Sequence, residues 1–477
     1  MRLASPLMGD MQVCKLVGHM PPLPQPSVVA DPNEPERRLL PIWAGRKAVI
    51  DRMWGNGAMD TATISLILAA IFAWGIISAR AAAISAPIFF VTTGVVLAEG
   101  LKLVHLAPEL HATKVAAEVT LVWVLFADAC RVRLSELRED LGHYVRLLAI
   151  GLPLTIALGT AAAAIMLHLS PWYALLLGAA LAPTDAALGS AVMSDRRVPY
   201  RVRQTLNVES GLNDGIATPV VTVALAAIAA EVGAANEGGR HALLGLLLGA
   251  LTGAVLGALG GILLRSARQR GWSSEEFAGP AILALSLLAF LCALLIGANG
   301  FVAAFVAGSA FGAFTGRGEE REVYYVEQTC GLASMISWLL FGAVGVPTIA
   351  ADWSWRIVLY AVLSLTVIRM LPVAISLLGA RMDWSTVFFI GWFGPRGLAS
   401  IVFALIALED LQGVPGPIDE VVATIGLTVL LSVVVHGLTA QPLAGRYAAT
   451  HGADVEPMER PEPTLRRLMS PSRKDSH

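Results

Sequence analysis

Between residues 60 and 443 the chain is a succession of thirteen apolar segments: 60–79, 82–99, 113–131, 145–168, 172–193, 203–230, 241–265, 277–295, 298–315, 326–350, 356–379, 384–408 and 419–443. A helix needs about 20 mostly apolar residues to cross a bilayer. In lipid the backbone must satisfy its own hydrogen bonds, which leaves helices or a closed barrel. Barrel strands would show alternating polarity over ~10 residues, and no such segment is present. The expectation is an all-α, polytopic membrane protein with about 13 transmembrane helices. Only 15% of residues are charged and mean hydropathy is +0.66, against about 25% charged in soluble proteins. A formal net charge of -2 argues against nucleic-acid binding through bulk basicity. Cys14, Cys130, Cys292 and Cys330 are scattered with no CxxC, so neither a disulfide framework nor a zinc site is signalled.

The ends differ from the middle. Residues 1–56 hold a Pro-rich stretch and a charged run from Asp31 to Arg38, and read as a disordered extension or as a start placed upstream of Met53 or Met59. Residues 446–477 read as a short polar tail. Basic residues in short loops set orientation. The loops on the side of the C-terminus hold 17 Lys and Arg, including Arg131, Arg133, Arg138, Arg196, Arg197, Arg201 and Arg203, against seven on the other side. The C-terminus is expected to be cytoplasmic and, with an odd number of spans, the N-terminus outside.

Ionisable groups within spans cost at least about 2.5 kcal/mol each on insertion scales, which makes each a functional candidate. The densest cluster is Asn207-Val208-Glu209-Ser210-Gly211-Leu212-Asn213-Asp214-Gly215 in the sixth segment. Helical spacing stacks Glu209 with Asn213 and Ser210 with Asp214. Hydroxyl, amide and carboxylate oxygens within one turn suit a hard cation, and no His or Cys joins them. Polar side chains gluing two helices are the bland alternative. In the fifth segment Ala182-Pro183-Thr184-Asp185 interrupts an apolar run, and in the twelfth Gly394-Pro395-Arg396-Gly397 does the same. Two interrupted segments in corresponding halves point to a transporter site at the midplane, with Asp185 and Arg396 placed to neutralise helix ends. A plain proline kink is the alternative for either alone.

Arg369 in the eleventh segment needs a carboxylate, for which Glu209 is the strongest candidate. Glu118 and Asp128 lie in the third segment, Asp128 close to Arg131. His436 reads as a packed helix histidine ahead of a proton relay. Gly245, Gly249, Gly253, Gly257 and Gly261 recur every fourth residue, which fits close packing inside the molecule or against a second subunit. Trp172, Trp272, Trp353, Trp355 and Trp384 near segment ends read as interface anchors.

Thr184-Asp185, Glu209 through Gly215, Arg369 and Gly394-Pro395-Arg396-Gly397, in this order and spacing, resemble the cation:proton antiporter-1 family, with its bacterial NhaP-type and animal NHE exchangers, over roughly residues 60–445. The resemblance implies inverted repeats and two crossed broken helices. It implies a moving core (144–230 and 356–445) and a dimerisation and gating unit (60–132 and 241–350) within a 57–445 membrane domain. It also implies roles. Asp214 would carry proton or cation, and Ser210, the Thr184 carbonyl and Asp128 would complete the cation shell. Asn213 would support Asp128, Glu209 and Arg369 would form a structural ion pair, and Asp185 and Arg396 would stabilise the crossing. The sequence departs from many relatives at Ala186, where they carry Pro.

The expected function is secondary antiport of Na+, K+ or Li+ against protons by a homodimer in the cell membrane. It is expected to be electroneutral because Asn213 stands where a second Asp would, and to need no cofactor. A sodium-coupled organic-anion transporter, a cation channel and an intramembrane enzyme are the rivals. The channel is disfavoured by the single acidic site. The enzyme is disfavoured by the lack of HExxH and of any His partner for a span serine.

Overall fold

The computed structural model describes residues 61–80, 85–101, 110–131, 141–231, 238–315, 320–351 and 354–451. The readings made for residues 1–56 and for most of the tail lie outside them. Among the described residues every regular element is helical. In chain order these are α1 (Thr61–Ile77), α2 (Ala86–Gly100), α3 (Leu110–Arg131), α4 (Leu141–Met166), α5 (Pro171–Ala180), α6 (Ala186–Met193), α7 (Tyr200–Glu231) and α8 (Gly238–Gln269). They continue with α9 (Glu275–Leu295), α10 (Gly300–Thr315), α11 (Glu320–Leu340, extended through Phe341–Gly345 and Val346–Ala351) and α12 (Trp355–Ser376). The last are α13 (Trp384–Trp392), α14 (Leu398–Asp410) and α15 (Ile418–His451). Seven helices among the described residues are long and apolar enough to cross a membrane alone, while α1, α2, α5 and α10 are shorter apolar helices. The tail placed from Arg446 begins inside a helix, since α15 continues to His451.

The apolar segments fold as helices because nothing in lipid competes for their backbone groups. Where they stop, the sequence says why. Pro183 has no N–H and pushes Ala182 out of the helical region, so α5 ends at Ala180 and the helix restarts at Ala186. Gly394 and Pro395 do the same between α13 and α14. Thr366, at φ -114° and ψ -93°, kinks α12 just before Arg369.

The glycine ladder of α8 is used inside the molecule. A Cβ on Gly253 would lie 2.3 Å from the Ala303 carbonyl oxygen, and one on Gly257 2.2 Å from that of Ala307. Only glycine lets α8 approach α10 this closely, and the Asn299 N–H donates to the Gly245 carbonyl at 2.9 Å. The ladder therefore gives no support to a subunit contact. The other face of α8 turns Leu247 and Leu251 outward, 60% and 62% exposed, as a helix facing lipid does. Trp272, Trp355 and Trp384 are likewise exposed.

Candidate functional site

The two interrupted helices meet through their breaks. The Asp185 N–H donates to the Pro395 carbonyl at 2.8 Å. Asp185 Oδ1 accepts from Leu188 N–H at 3.4 Å, capping its own helix α6, and Oδ2 accepts from Leu398 N–H at 2.9 Å, capping α14. One carboxylate thus sits at two helix N-termini, where partial positive charge collects. Gly397 makes this possible, because a Cβ there would overlap Asp185 Oδ2 at 1.9 Å. On the opposite-signed side, the fully buried Arg396 donates Nη1 to the carbonyls of Ala182 and, at 3.2 Å, Pro183. The Ser400 hydroxyl donates to the Ala180 carbonyl at 2.7 Å. Carbonyls freed at the end of α5 are thereby met by a guanidinium and a hydroxyl.

Thr184, in the α5–α6 break, faces the polar turn of α7. Its Oγ1 accepts from Asn213 Nδ2 at 2.6 Å and lies 3.2 Å from Ser210 Oγ. Since Thr184 accepts from the amide, its own hydrogen is available to Ser210. Thr184, Ser210, Asn213 and Asp214 are all buried. Asn213 Oδ1 and Asp214 Oδ1 have no hydrogen-bond donor among the described residues. Leaving a buried acceptor unmatched costs about 1–3 kcal/mol, more when it is charged. A turn ending in two such oxygens suits a proton or a cation.

Asp128 comes from α3 and packs on the same stretch of α7: a Cβ on Gly211 would lie 3.5 Å from Asp128 Cβ. Asp128 and Asp185 both act electrostatically on Asp214. Asp128 Oδ1 also lies 3.6 Å from Arg131, which pairs with Glu327. Asn213, expected to support Asp128, donates from its amide to Thr184. The reason is the α5–α6 break, which brings the Thr184 hydroxyl against α7.

Glu209 and Arg369 form a bidentate pair at 2.5 and 2.8 Å, 5% and 3% exposed, beside the oxygen cluster rather than within it. Glu118 pairs with Lys114 at 3.8 Å, and Lys114 also reaches Asp410 at 2.9 Å. Lys114, Glu118 and Asp410 line a cavity of about 610 Å³ together with Thr218, Thr222 and Asn299. Thr218 Oγ1 donates to the Asp214 carbonyl at 2.7 Å, so the cavity reaches within a helical turn of the site.

Pro219 was not among the expected site residues. It lies inside α7 and lacks the N–H that would bind the Gly215 carbonyl. A proline five residues after Asp214 was the available signal. Ser400 was also missed, because an isolated serine in an apolar run carries no distinguishing pattern.

Crossed broken helices around a buried oxygen cluster define a polytopic helical membrane transporter. Residues 66–446 match the family described as sodium/hydrogen exchanger, transmembrane, and the chain belongs to that family. It is 27% identical over 333 residues to the K(+)/H(+) antiporter NhaP of Alkalimonas amylolytica, covering 68% of this chain and 56% of that one. It is 29% identical over 327 residues to Na(+)/H(+) antiporter 2 of Zygosaccharomyces rouxii, covering 58% and 38%. The chain spans about half the length of the bacterial relatives it matches, 56% and 50% for two of them. Its fold is similar to that of the sodium proton antiporter MjNhaP1 from Methanocaldococcus jannaschii, with a TM-score of 0.66 at 21% identity, covering 80% of this chain and 97% of that one.

Proposed function

We propose that the chain exchanges a monovalent cation, Na+ or K+, for protons across the membrane, with Asp214 binding one or the other in competition. The observation that carries this reading is the pair of buried oxygens without donors, Asp214 Oδ1 and Asn213 Oδ1, beside the Thr184 and Ser210 hydroxyls at a helix break. A carboxylate taken out of water is held best with a positive partner on it. A proton and a cation both serve, and neither binds well while the other is present. Relatives named for K+/H+ and for Na+/H+ exchange both support the substrate class.

Asp214, Ser210, Thr184 and Asp128 are the proposed cation and proton ligands, with Asn213 holding Thr184 in place. Asp185, Arg396, Glu209 and Arg369 fix the helices. The proposed moving core is residues 144–230 and 356–445, working against 60–132 and 241–350. The 610 Å³ cavity beyond Thr218 is the approach on one side. The bias of basic loop residues supports a cytoplasmic C-terminus. A homodimer in the cell membrane belongs to the same reading, and a monomeric mass in lipid discs rejects that part.

Asp214→Asn tests the core of the proposal. In inside-out vesicles carrying an acid interior, a pH-sensitive dye recovers on addition of Na+, K+ or Li+ with the wild-type chain. The variant is expected to insert at wild-type levels and give no recovery. Recovery that persists in Asp214→Asn overturns the assignment.

A further inference from the structure

Helix α15 contributes none of the residues assigned above, yet three of its side chains grip the break between α13 and α14. Ser432, His436 and Thr439 lie at i, i+4 and i+7, on one face of the helix. Ser432 and His436 are 0% and 1% exposed. The Arg396 N–H donates to Ser432 Oγ at 2.7 Å. His436 Nε2 lies 3.0 Å from the carbonyl oxygen of Trp392, the last residue of α13. Ser432 Oγ and His436 Nδ1 are 3.2 Å apart, and Trp392 Nε1 donates to Thr439 Oγ1 at 3.2 Å.

The hydrogens can be assigned from this circuit. Ser432 Oγ accepts from Arg396, so its own O–H can donate to Nδ1. The ring proton then sits on Nε2 and goes to the Trp392 carbonyl, at the negative end of α13. The other tautomer would donate from Nδ1 to the Ser432 carbonyl, 3.0 Å away. It would also turn the Nε2 lone pair onto the Trp392 oxygen and leave the Ser432 hydroxyl without that acceptor. The Nε2–H form serves both edges of the break at once.

We propose that Ser432 and His436 form a clip that sets the position of Arg396 and, through it, of the cation site. The clip fixes the Arg396 backbone, and the Arg396 side chain holds the carbonyls of Ala182 and Pro183, the two residues preceding Thr184. His436 is thus a positioning residue, acting on the Thr184 hydroxyl from a different helix. The inference rests on the antiport reading only in taking the Thr184–Asp214 cluster as the place where the cation binds.

The test uses the purified full chain. Cation affinity is read from the rise in melting temperature with added Na+ or K+, and KM and maximal rate are read separately in proteoliposomes. His436→Phe keeps a ring and removes both nitrogens, and Ser432→Ala removes a single oxygen. Each is expected to weaken cation affinity and raise KM about tenfold, equivalent to about 1.4 kcal/mol, with little change in maximal rate. The double variant is expected to be no worse than the stronger single one, because both act through one contact. His436→Gln can place an N–H where Nε2–H lies and is expected to restore the wild-type KM. If the variants lower the melting temperature without cation but bind cation as the wild type does, the clip is structural only and the proposal is overturned. Failure of His436→Gln to rescue alongside an unaltered Ser432→Ala also overturns it. A wild-type chain that responds to no cation overturns the antiport reading itself, and the clip's role with it.

Discussion

Asp185 Oδ2 accepts the backbone N–H of Leu398 at 2.9 Å, across 213 positions of sequence. The same carboxylate accepts from Leu188, so the N-termini of two half-helices converge on one negative charge. Arg396 answers from the other side, on carbonyls released by the α5 break. Two helices broken inside an apolar protein would each leave backbone groups unmatched. Crossing them lets each break supply what the other lacks, and leaves Thr184 facing α7.

Removing that charge while keeping its shape is expected to destabilise the fold. Asp185→Asn should lower stability by about 1–3 kcal/mol, the range for losing a charge-assisted bond to a buried donor. Gly397→Ala should do more damage, since its Cβ would lie 1.9 Å from Asp185 Oδ2. Melting curves of purified protein in detergent check both. An Asp185→Asn curve that overlies the wild type would show that the crossing does not depend on this charge.

The Glu209–Arg369 pair makes a different prediction, because both partners are buried. Deleting one strands the other, which typically costs about 3–5 kcal/mol. Glu209→Gln and Arg369→Met are therefore each expected to reduce folded protein severely. Combining Glu209→Leu with Arg369→Met should recover most of it, since no charge is then left alone. Fluorescence-detected size exclusion followed by melting measures the recovery. A double variant as unstable as either single one would mean that the pair does more than neutralise itself.

The breaks were readable in the sequence because Pro183 and Pro395 cannot continue a helix, whatever surrounds them. The Glu209–Arg369 pair was readable because a buried guanidinium must find a carboxylate and few were available. The partner of Asn213 was not. Its amide could serve any acceptor within reach, and the chain fold decides that Thr184 is nearest. The same limit applies to the α8 glycines. Their spacing announces a close neighbour, but not that the neighbour is α10 rather than another subunit. Asp185 was legible as a charge at a crossing, while its bond to Leu398 belongs to tertiary geometry alone. His436 read as a packing residue because nothing local to α15 shows that Trp392 and Arg396 lie against it.

A pH dependence follows at the membrane edge, where Asp383 caps α13. The Ser385 hydroxyl, the Thr386 hydroxyl at 2.6 Å and His451 at 3.1 Å hold the Asp383 carboxyl well below the usual carboxylate range. The folded state therefore favours the charged form. This contribution is complete above the ordinary value near 3.9 and is lost as pH falls below it toward the lower native value. Asp383→Asn can still cap the helix but cannot titrate. Its melting temperature is expected to fall less steeply than that of the wild type between about pH 5 and pH 3. Parallel curves over that interval would remove Asp383 from the acid response.

The last prediction concerns charge movement. Asn213 donates to Thr184 and presents an oxygen beside Asp214 while carrying no charge of its own. On the proposed antiport reading, one carboxylate at the centre of the turn would let one proton replace one monovalent cation with no net charge crossing. Asn213→Asp removes the donor to Thr184, which must then turn its hydroxyl toward the new carboxylate. It also adds a second group that takes a proton when the cation leaves. Exchange by the wild type is expected to run at the same rate with the membrane potential free or clamped. Asn213→Asp, where it retains activity, is expected to become voltage dependent, because two protons would then be exchanged against one cation. Dye recovery in proteoliposomes under an imposed potential separates the cases. A clear voltage dependence already present in the wild type would place a second titrating group in the cycle, and Asp128, packed against Gly211, would be the first residue to replace.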